Sequence, residues 1–482
     1  MMLAVLICVL LVCFFRPVLG FGLYLLLHCS IFYLSDHLYR AVPAGGFLLI
    51  YGVLYLGSRR AAAAAPRRLQ GRVQAYGLVQ LVILYLGWRV FVSVVGATLG
   101  VSHDAASAMR EAALWVAPFA LLPILWNLRD RIDSLDLMVR TAALFTAIMQ
   151  IVVAVSGSAS LMRWAYLPDP TVRADWMESA IAGGQGWAHP AGTLFFMLVG
   201  VRCFAELLTG KRRLWNSIQY CVTLVSVVST ASRSHTIAYV AGTLCAVALV
   251  LHLPRARRLA SLGAAFGVLV ICFGAAVAYV PANLLARLEG RFGHLQSEGS
   301  QLLSENPGRG AGNRAEDNRG ALEAIQEHPI LGWGSSVGVR ELSHRRYGPG
   351  TDSHTLLCLA SVGGVPLAFA YLALHLLFFS RTLKDARPKS PIGLDAYPYA
   401  PVAFALLLFV LAGTEWLWAG YAIPLPVFMG LFLCRRWKAR NLSAANPGPV
   451  RRGMRSGYNL RIRSSFSPIA IPLSSTSAMS QL

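Results

Sequence analysis

Four polar features break an otherwise apolar chain, and each carries side chains suited to anion binding or proton transfer. Ser232, Arg233 and Ser234 form the corner between two apolar blocks. An arginine there is costly if buried unpaired, but it is tolerated where it lines a wet cavity or holds an anion. The plainer reading is a snorkelling interfacial cation. Arg319, Glu323 and Gln326 share a helix face by i, i+4 and i+7 spacing, with a solvated ion pair as the alternative. Pro329, Gly332, Trp333 and Gly334 make a turn whose glycines let backbone N–H groups approach an anion. Asp352, Ser353 and His354 stand where a polar stretch gives way to an apolar one. Histidine is the side chain best matched to proton transfer near neutral pH. His189, followed by Pro190 at the head of another apolar block, is a weaker candidate of the same kind.

The elements that must hold these residues are membrane helices. The chain has 482 residues, 56% hydrophobic and 13% charged, against about 25% charged in soluble domains. Its apolar residues come in long blocks rather than amphipathic stripes. Spans are expected near 3–15, 18–34, 44–57, 74–98, 109–126, 137–156, 190–208, 214–231, 235–253, 260–281, 355–380, 399–414 and 421–434. The fold class is therefore all-α, a polytopic membrane protein with about 12 transmembrane helices. Arg16 and Pro17 interrupt the first apolar run, which forms either two short spans or one span and an interfacial piece. The start, Met1 to Phe15, lacks a basic n-region and reads as a retained segment.

The net charge of +21 follows topology rather than nucleic-acid binding. Basic connections at 58–72, 127–131, 211–213, 255–258 and 381–389, with the C-terminal tail, all fall on one side of the threaded spans, the cytoplasm. The opposite side receives 35–43, 99–108, 157–189, 232–234, 415–420 and the large loop 282–354. Residues 1–440 thus form the membrane domain, and 441–482, rich in Ser, Pro, Gly and Arg, form a disordered basic cytoplasmic tail. Nine cysteines lie scattered through apolar blocks without a C-x-x-C pair, so metal–thiolate sites and a disulfide framework are not expected. No Walker loop and no G-x-G-x-x-G after a strand is present, so neither nucleotide nor any other cofactor is expected.

The large loop carries eight basic and nine acidic residues, a balance suited to a folded extracytoplasmic piece. Asn313 and Glu316 resemble a capping box that starts a helix. Ala321, Leu322 and Ile325 give that helix an apolar side, and Pro329 ends it before the Gly332-Trp333-Gly334 turn.

In order and context, these pieces resemble the O-antigen ligase and polymerase superfamily. The resemblance rests on Asn318 and Arg319 followed by a short helix, then Pro329, Gly332 and Gly334 in a P-x-x-G-x-G pattern. His354 then leads an apolar span containing Gly363 and Gly364. Ser232, Arg233 and Ser234 are similar to the superfamily's T/S-x-S-R element, and Gly186 through Pro190 to its G-x-x-x-H-P element. The resemblance covers about residues 183–380. Members commonly carry Asn after the loop histidine, where this chain has Thr355.

The resemblance implies a metal-independent glycosyltransferase in the bacterial inner membrane. Its donor is a glycan on an undecaprenyl-diphosphate carrier, and its acceptor a hydroxyl of lipid A–core, another glycolipid, a glycan or a protein. Arg233, Arg319 and His354 would be catalytic, and Gly332, Gly334, His189 and Ser232 would bind substrate. Its partners are these substrates and membrane lipid, with no nucleic acid. Two other readings stand beside it, a polymerase of lipid-linked repeat units and a multipass transporter or flippase. A transporter predicts discontinuous helix pairs or mid-span acidic residues. Arg202 and Glu206, spaced i, i+4 near a span end, read as a structural pair.

Overall fold

A computed structural model of the chain describes residues 2–30, 45–64, 76–98, 116–156, 190–230, 233–251, 255–279, 318, 320–332, 355–387, 393–412 and 423–445. All regular structure among the described residues is helical, and each expected apolar block is helical over its described part, apart from turn residues at some block ends and a break inside the 355–380 block. In chain order the helices are α1 (Met2–Phe15), α2 (Pro17–Ser30), α3 (Gly45–Ala63), α4 (Tyr76–Thr98), α5 (Leu121–Asn127), α6 (Ile132–Ser156) and α7 (Pro190–Leu208). There follow α8 (Arg213–Ser229), α9 (Arg233–Val250), α10 (Arg255–Tyr279), α11 (residues 320–327), α12 (Thr355–Asp385), α13 (Tyr399–Ala412) and α14 (Pro424–Ala445). Residues 441–445, expected in the tail, continue α14, and 446–482 lie outside the described residues.

Among the described residues, three segments are long and apolar enough to cross a membrane: Gly77–Val95, Arg129–Val152 and Thr355–Asp385. At 14 residues each, α1 and α2 are about 21 Å long, short of the ~30 Å hydrocarbon core. Pro17 opens α2 at the position where a missing N–H needs no partner. The chain then folds back: a Cβ at Gly20 would come within 2.5 Å of Cys13 Cα. The first apolar run is thus two short helices packed on each other.

Helix α7 is the centre of the bundle. Leu194 through Ala205 are buried on every face, which marks a helix surrounded by others. Small residues let its neighbours approach. Gly200 meets Thr223 of α8 and Tyr239 of α9, and Gly242 of α9 meets Val201. The Thr223 and Tyr239 hydroxyls bond at 3.2 Å. A Cβ at Gly200 would lie 2.9 Å from both Thr223 Cβ and Tyr239 Cε2. Gly200→Ala is therefore expected to destabilise the protein by about 1–3 kcal/mol through overpacking, read as a lower melting temperature in detergent.

At one end of the bundle α6, α7, α8 and α14 meet in a buried ion network. Arg140 donates to Asp136 at 3.1 Å, to Glu206 at 2.5 Å and to Asn216 at 2.7 Å. Arg202 pairs with Asp136 and, at 3.2 Å, with Glu206, and lies over the Tyr399 ring at 4.9 Å. Both arginine side chains are only 2% exposed. The expected Arg202–Glu206 pair is thus half of a four-charge unit. Each guanidinium faces two carboxylates, an arrangement that offsets the large desolvation cost of burying charge. Arg435 extends the network outward, to Asp133 at 2.6 Å and Asp136 at 3.7 Å.

Candidate functional site

Contacts between helix ends fix how the candidate elements run. His235, in the first turn of α9, packs its ring 4.9 Å from Phe409, near the end of α13. Tyr397, just before α13, donates to the Ala246 carbonyl near the end of α9 at 2.5 Å. Helices α9 and α13 are therefore antiparallel. Lys211, just after α7, pairs with Asp395, just before α13, at 2.5 Å, so α7 runs along α9. The end of α12 joins the same side, because Asp385 pairs with Arg436 of α14 at 2.9 Å while the adjacent Arg435 reaches the ion network. It follows that the starts of α7, α9 and α12, at Pro190, Arg233 and Thr355, share the end of the bundle opposite the ion network.

These are the helix starts that His189, Ser232 and His354 adjoin in sequence. His189, Ser232, Arg319, Gly334 and His354 lie outside the described residues, as does the side chain of Arg233. The capping-box residues 313–316 lie outside them too. Arg233 is the first residue of α9. Thr355, the residue after His354, is buried at the head of α12. Residues 318 and 320, on either side of Arg319, are helical.

Gly332 is described, and its surroundings give the site its geometry. Helix α11 buries Ala321 and Ala324, 1% and 3% exposed. Leu322, expected on the apolar side, is instead 47% exposed. At about 100° per residue, Ala321 and Ala324 share a stripe and Leu322 turns off it. Glu323 and Gln326 face solvent, as their shared polar face predicts. The chain leaves α11 through Pro329 and tightens at Gly332, whose N–H donates to the His328 carbonyl at 2.9 Å with φ at +65°.

This turn docks into a break in α12. At Gly363 (φ −127°, ψ 18°) and Gly364 (φ 73°, ψ 169°) the backbone leaves the helical region. The span expected as one helix over 355–380 is therefore two helices end to end. The sequence Gly363-Gly364-Val365-Pro366 fits this: glycine ends a helix and proline starts one. The N–H of Val365 donates to the Pro329 carbonyl at 2.8 Å. A Cβ on Gly332 would lie 2.5–2.6 Å from the backbone of Val362, Gly363 and Gly364. From the other side, a Cβ on Gly364 would collide with the Ile330 carbonyl. Two glycines thus permit backbone-to-backbone contact between the loop and the helix that follows His354.

Three further residues near these elements escaped the sequence reading. Trp88 of α4 donates its indole N–H to the Gly363 carbonyl at 2.9 Å. Arg89, beside it, is only 2% exposed; an arginine inside an apolar span was the available signal. His235 is fully buried one turn into α9, two residues after Arg233. Among the described residues no three His, Cys, Asp or Glu side chains converge as metal ligands.

Residues 220–372 match the family model described as O-antigen ligase. The matched segment runs from the second half of α8 through α9, α10 and α11 into α12 past its break. It contains Ser232, Arg233, Arg319, Gly332, Gly334 and His354, and supports the superfamily that the motifs resemble. No curated protein matches the chain.

Proposed function

We propose that this chain, which carries an O-antigen ligase domain at residues 220–372, transfers a glycan from an undecaprenyl-diphosphate carrier to an acceptor hydroxyl, with lipid A–core or a similar glycolipid as acceptor. The reaction takes place on the outer side of the bacterial inner membrane. The observation that carries this reading is the gathering of three helix starts, at Pro190, Arg233 and Thr355, at the bundle end away from Lys211, Arg435 and Lys438. Positive-inside placement makes the basic end cytoplasmic and the other end external. An apolar surface of Ile330, Val365 and Phe369, 62%, 50% and 70% exposed, borders the docked turn and suits a polyprenyl chain arriving sideways from the bilayer.

In the proposed step the acceptor oxygen attacks the anomeric carbon and loses its proton. The sugar–phosphate bond breaks, and its electron pair leaves with the diphosphate. Charge grows on that leaving group, so fixed donors facing it lower the barrier. Arg233 and Arg319 supply them, since a guanidinium fork pairs phosphate bidentately. His354 takes the acceptor proton or orients the diphosphate. Gly334, Ser232 and His189 line the substrate, whereas Gly332, whose N–H is already on the His328 carbonyl, serves the site by docking the turn on α12. As a general base His354 gives a rate that falls as pH drops below the imidazole pKa, whereas as a cationic diphosphate ligand it gives the opposite slope.

Purified protein supplied with a defined undecaprenyl-diphosphate-linked oligosaccharide and lipid A–core tests the reading. Arg319→Ala and His354→Ala are each expected to reduce transfer roughly 100-fold or more. Wild-type rates in both variants, at equal protein levels, would overturn it. In a deletion strain, polymer stalled on the carrier lipid indicates a ligase, whereas single-repeat caps indicate a polymerase.

A further inference from the structure

A break in a membrane helix releases backbone groups that have no water to turn to. At Gly363 and Gly364 two of them find partners from distant parts of the chain. The Val365 N–H takes the Pro329 carbonyl of the loop turn at 2.8 Å. The Gly363 carbonyl takes the Trp88 indole N–H of α4 at 2.9 Å. The two bonds lie on adjoining peptide units, so α4 and the loop are linked through two residues of α12. The indole is half-buried and packs beside Phe91, with ring centroids 5.6 Å apart, which holds it in place as a donor. Without that donor, the Gly363 carbonyl would favour a straightened helix that hydrogen-bonds along its own axis. A straightened helix has no room for the Pro329–Gly332 turn.

We infer that Trp88 is a positioning residue for glycan transfer: its indole N–H holds the α12 break open for the loop turn, and so sets α11 relative to the start of α12. The inference rests on the proposed function, in which Arg319 and His354, the residues that precede α11 and α12 in sequence, act on the substrate. Trp88 itself touches no substrate. Its effect reaches the reaction through the dock, so it changes the turnover rate of bound substrate more than the concentration at which substrate binds.

The test compares wild type, Trp88→Phe and a form carrying β-(3-benzothienyl)alanine at position 88, which keeps the indole shape and replaces N–H with sulfur. Transfer is measured in vitro with a defined undecaprenyl-diphosphate oligosaccharide. Hydrogen exchange of peptides covering 320–332 and 355–367 is measured on the same samples. The expected result is a fall in kcat of about fivefold in both forms, the scale of one lost hydrogen bond, with KM unchanged and faster exchange at 320–332. Wild-type kcat in the sulfur form, or a lowered kcat with unchanged exchange at 320–332, would overturn the role of Trp88 alone. Absence of transfer by wild type would overturn the proposed function, and this role with it.

Discussion

Gly364→Ala is expected to abolish most transfer while leaving a folded protein in the membrane. Gly364 has φ 73° and ψ 169°, a region open essentially only to glycine, and forcing another residue there costs about 1–3 kcal/mol. The added Cβ would also meet the Ile330 carbonyl and lie 2.9 Å from the Pro329 oxygen. Both atoms are backbone, so no side chain can swing aside. The turn must withdraw, and the Val365–Pro329 bond is lost with it. Transfer should fall roughly 10-fold to 100-fold, a barrier increase of about 1.4–2.8 kcal/mol, with faster exchange at 320–332. Gly332→Ala approaches the same contact from the loop side, 2.5–2.6 Å from the α12 backbone, and should lose activity in the same way. Gly52→Ala, with nothing within 4 Å of the new Cβ, should behave as wild type. Full transfer by Gly364→Ala would show that the dock is dispensable.

Removing Arg140 is expected to have the largest effect on stability. Among the described residues, Arg140→Met leaves Asp136 and Glu206 with Arg202 as their only fully buried cation, strands the Asn216 oxygen that Arg140 holds at 2.7 Å, and leaves the Gln219 oxygen only the Cys203 thiol at 3.0 Å. Breaking a buried pair by deleting one partner typically costs about 3–5 kcal/mol. That is a large share of the ~5–15 kcal/mol that holds a domain folded, so little Arg140→Met protein should survive in membranes. Arg140→Met combined with Glu206→Gln removes one charge of each sign, and should recover part of the loss. Melting temperature and membrane yield report both. A melting temperature for Arg140→Met equal to that of wild type would mean the network holds nothing together.

The helices were legible because their signal is a block of apolar residues, and a block survives an error of a few residues at each end. The 235–253 block became α9 (Arg233–Val250) and the 399–414 block α13 (Tyr399–Ala412). Partners distant in sequence were not legible. Arg202 and Glu206 could be paired by spacing, but Arg140 and Asp136 join them from another helix. No pattern in one sequence reports that meeting. The Gly332 turn was visible as a turn, yet what it turned against was not. Trp88 stands 275 positions from the Gly363 carbonyl it holds, and read in isolation it is one aromatic residue in an apolar span. Leu322 misled because an apolar residue beside Ala321 suggests a shared face, whereas helical rotation separates neighbours and unites Ala321 with Ala324. Of the candidate site, the helix starts at Pro190, Arg233 and Thr355 and the docked Gly332 have structural positions. The catalytic assignments of Arg233, Arg319 and His354 rest on the motifs.

The break in α12 has a consequence for depth. Past Gly364 the helix runs from Val365 to Asp385, but from Val365 to the basic connection that starts at Arg381 it covers only about 24 Å at 1.5 Å per residue, short of the ~30 Å hydrocarbon core. The apolar Thr355–Val362 segment, about 12 Å more, completes the crossing. Its first residues reach the headgroup layer, and the break frees the segment to approach that layer at its own tilt. A lipid-anchored diphosphate cannot leave that layer without dragging its tail through water. A protein that must meet it has to bring its own groups to a fixed height. A straight helix sets height and direction together; a broken one sets the height with its lower half and leaves the upper half free to choose the direction.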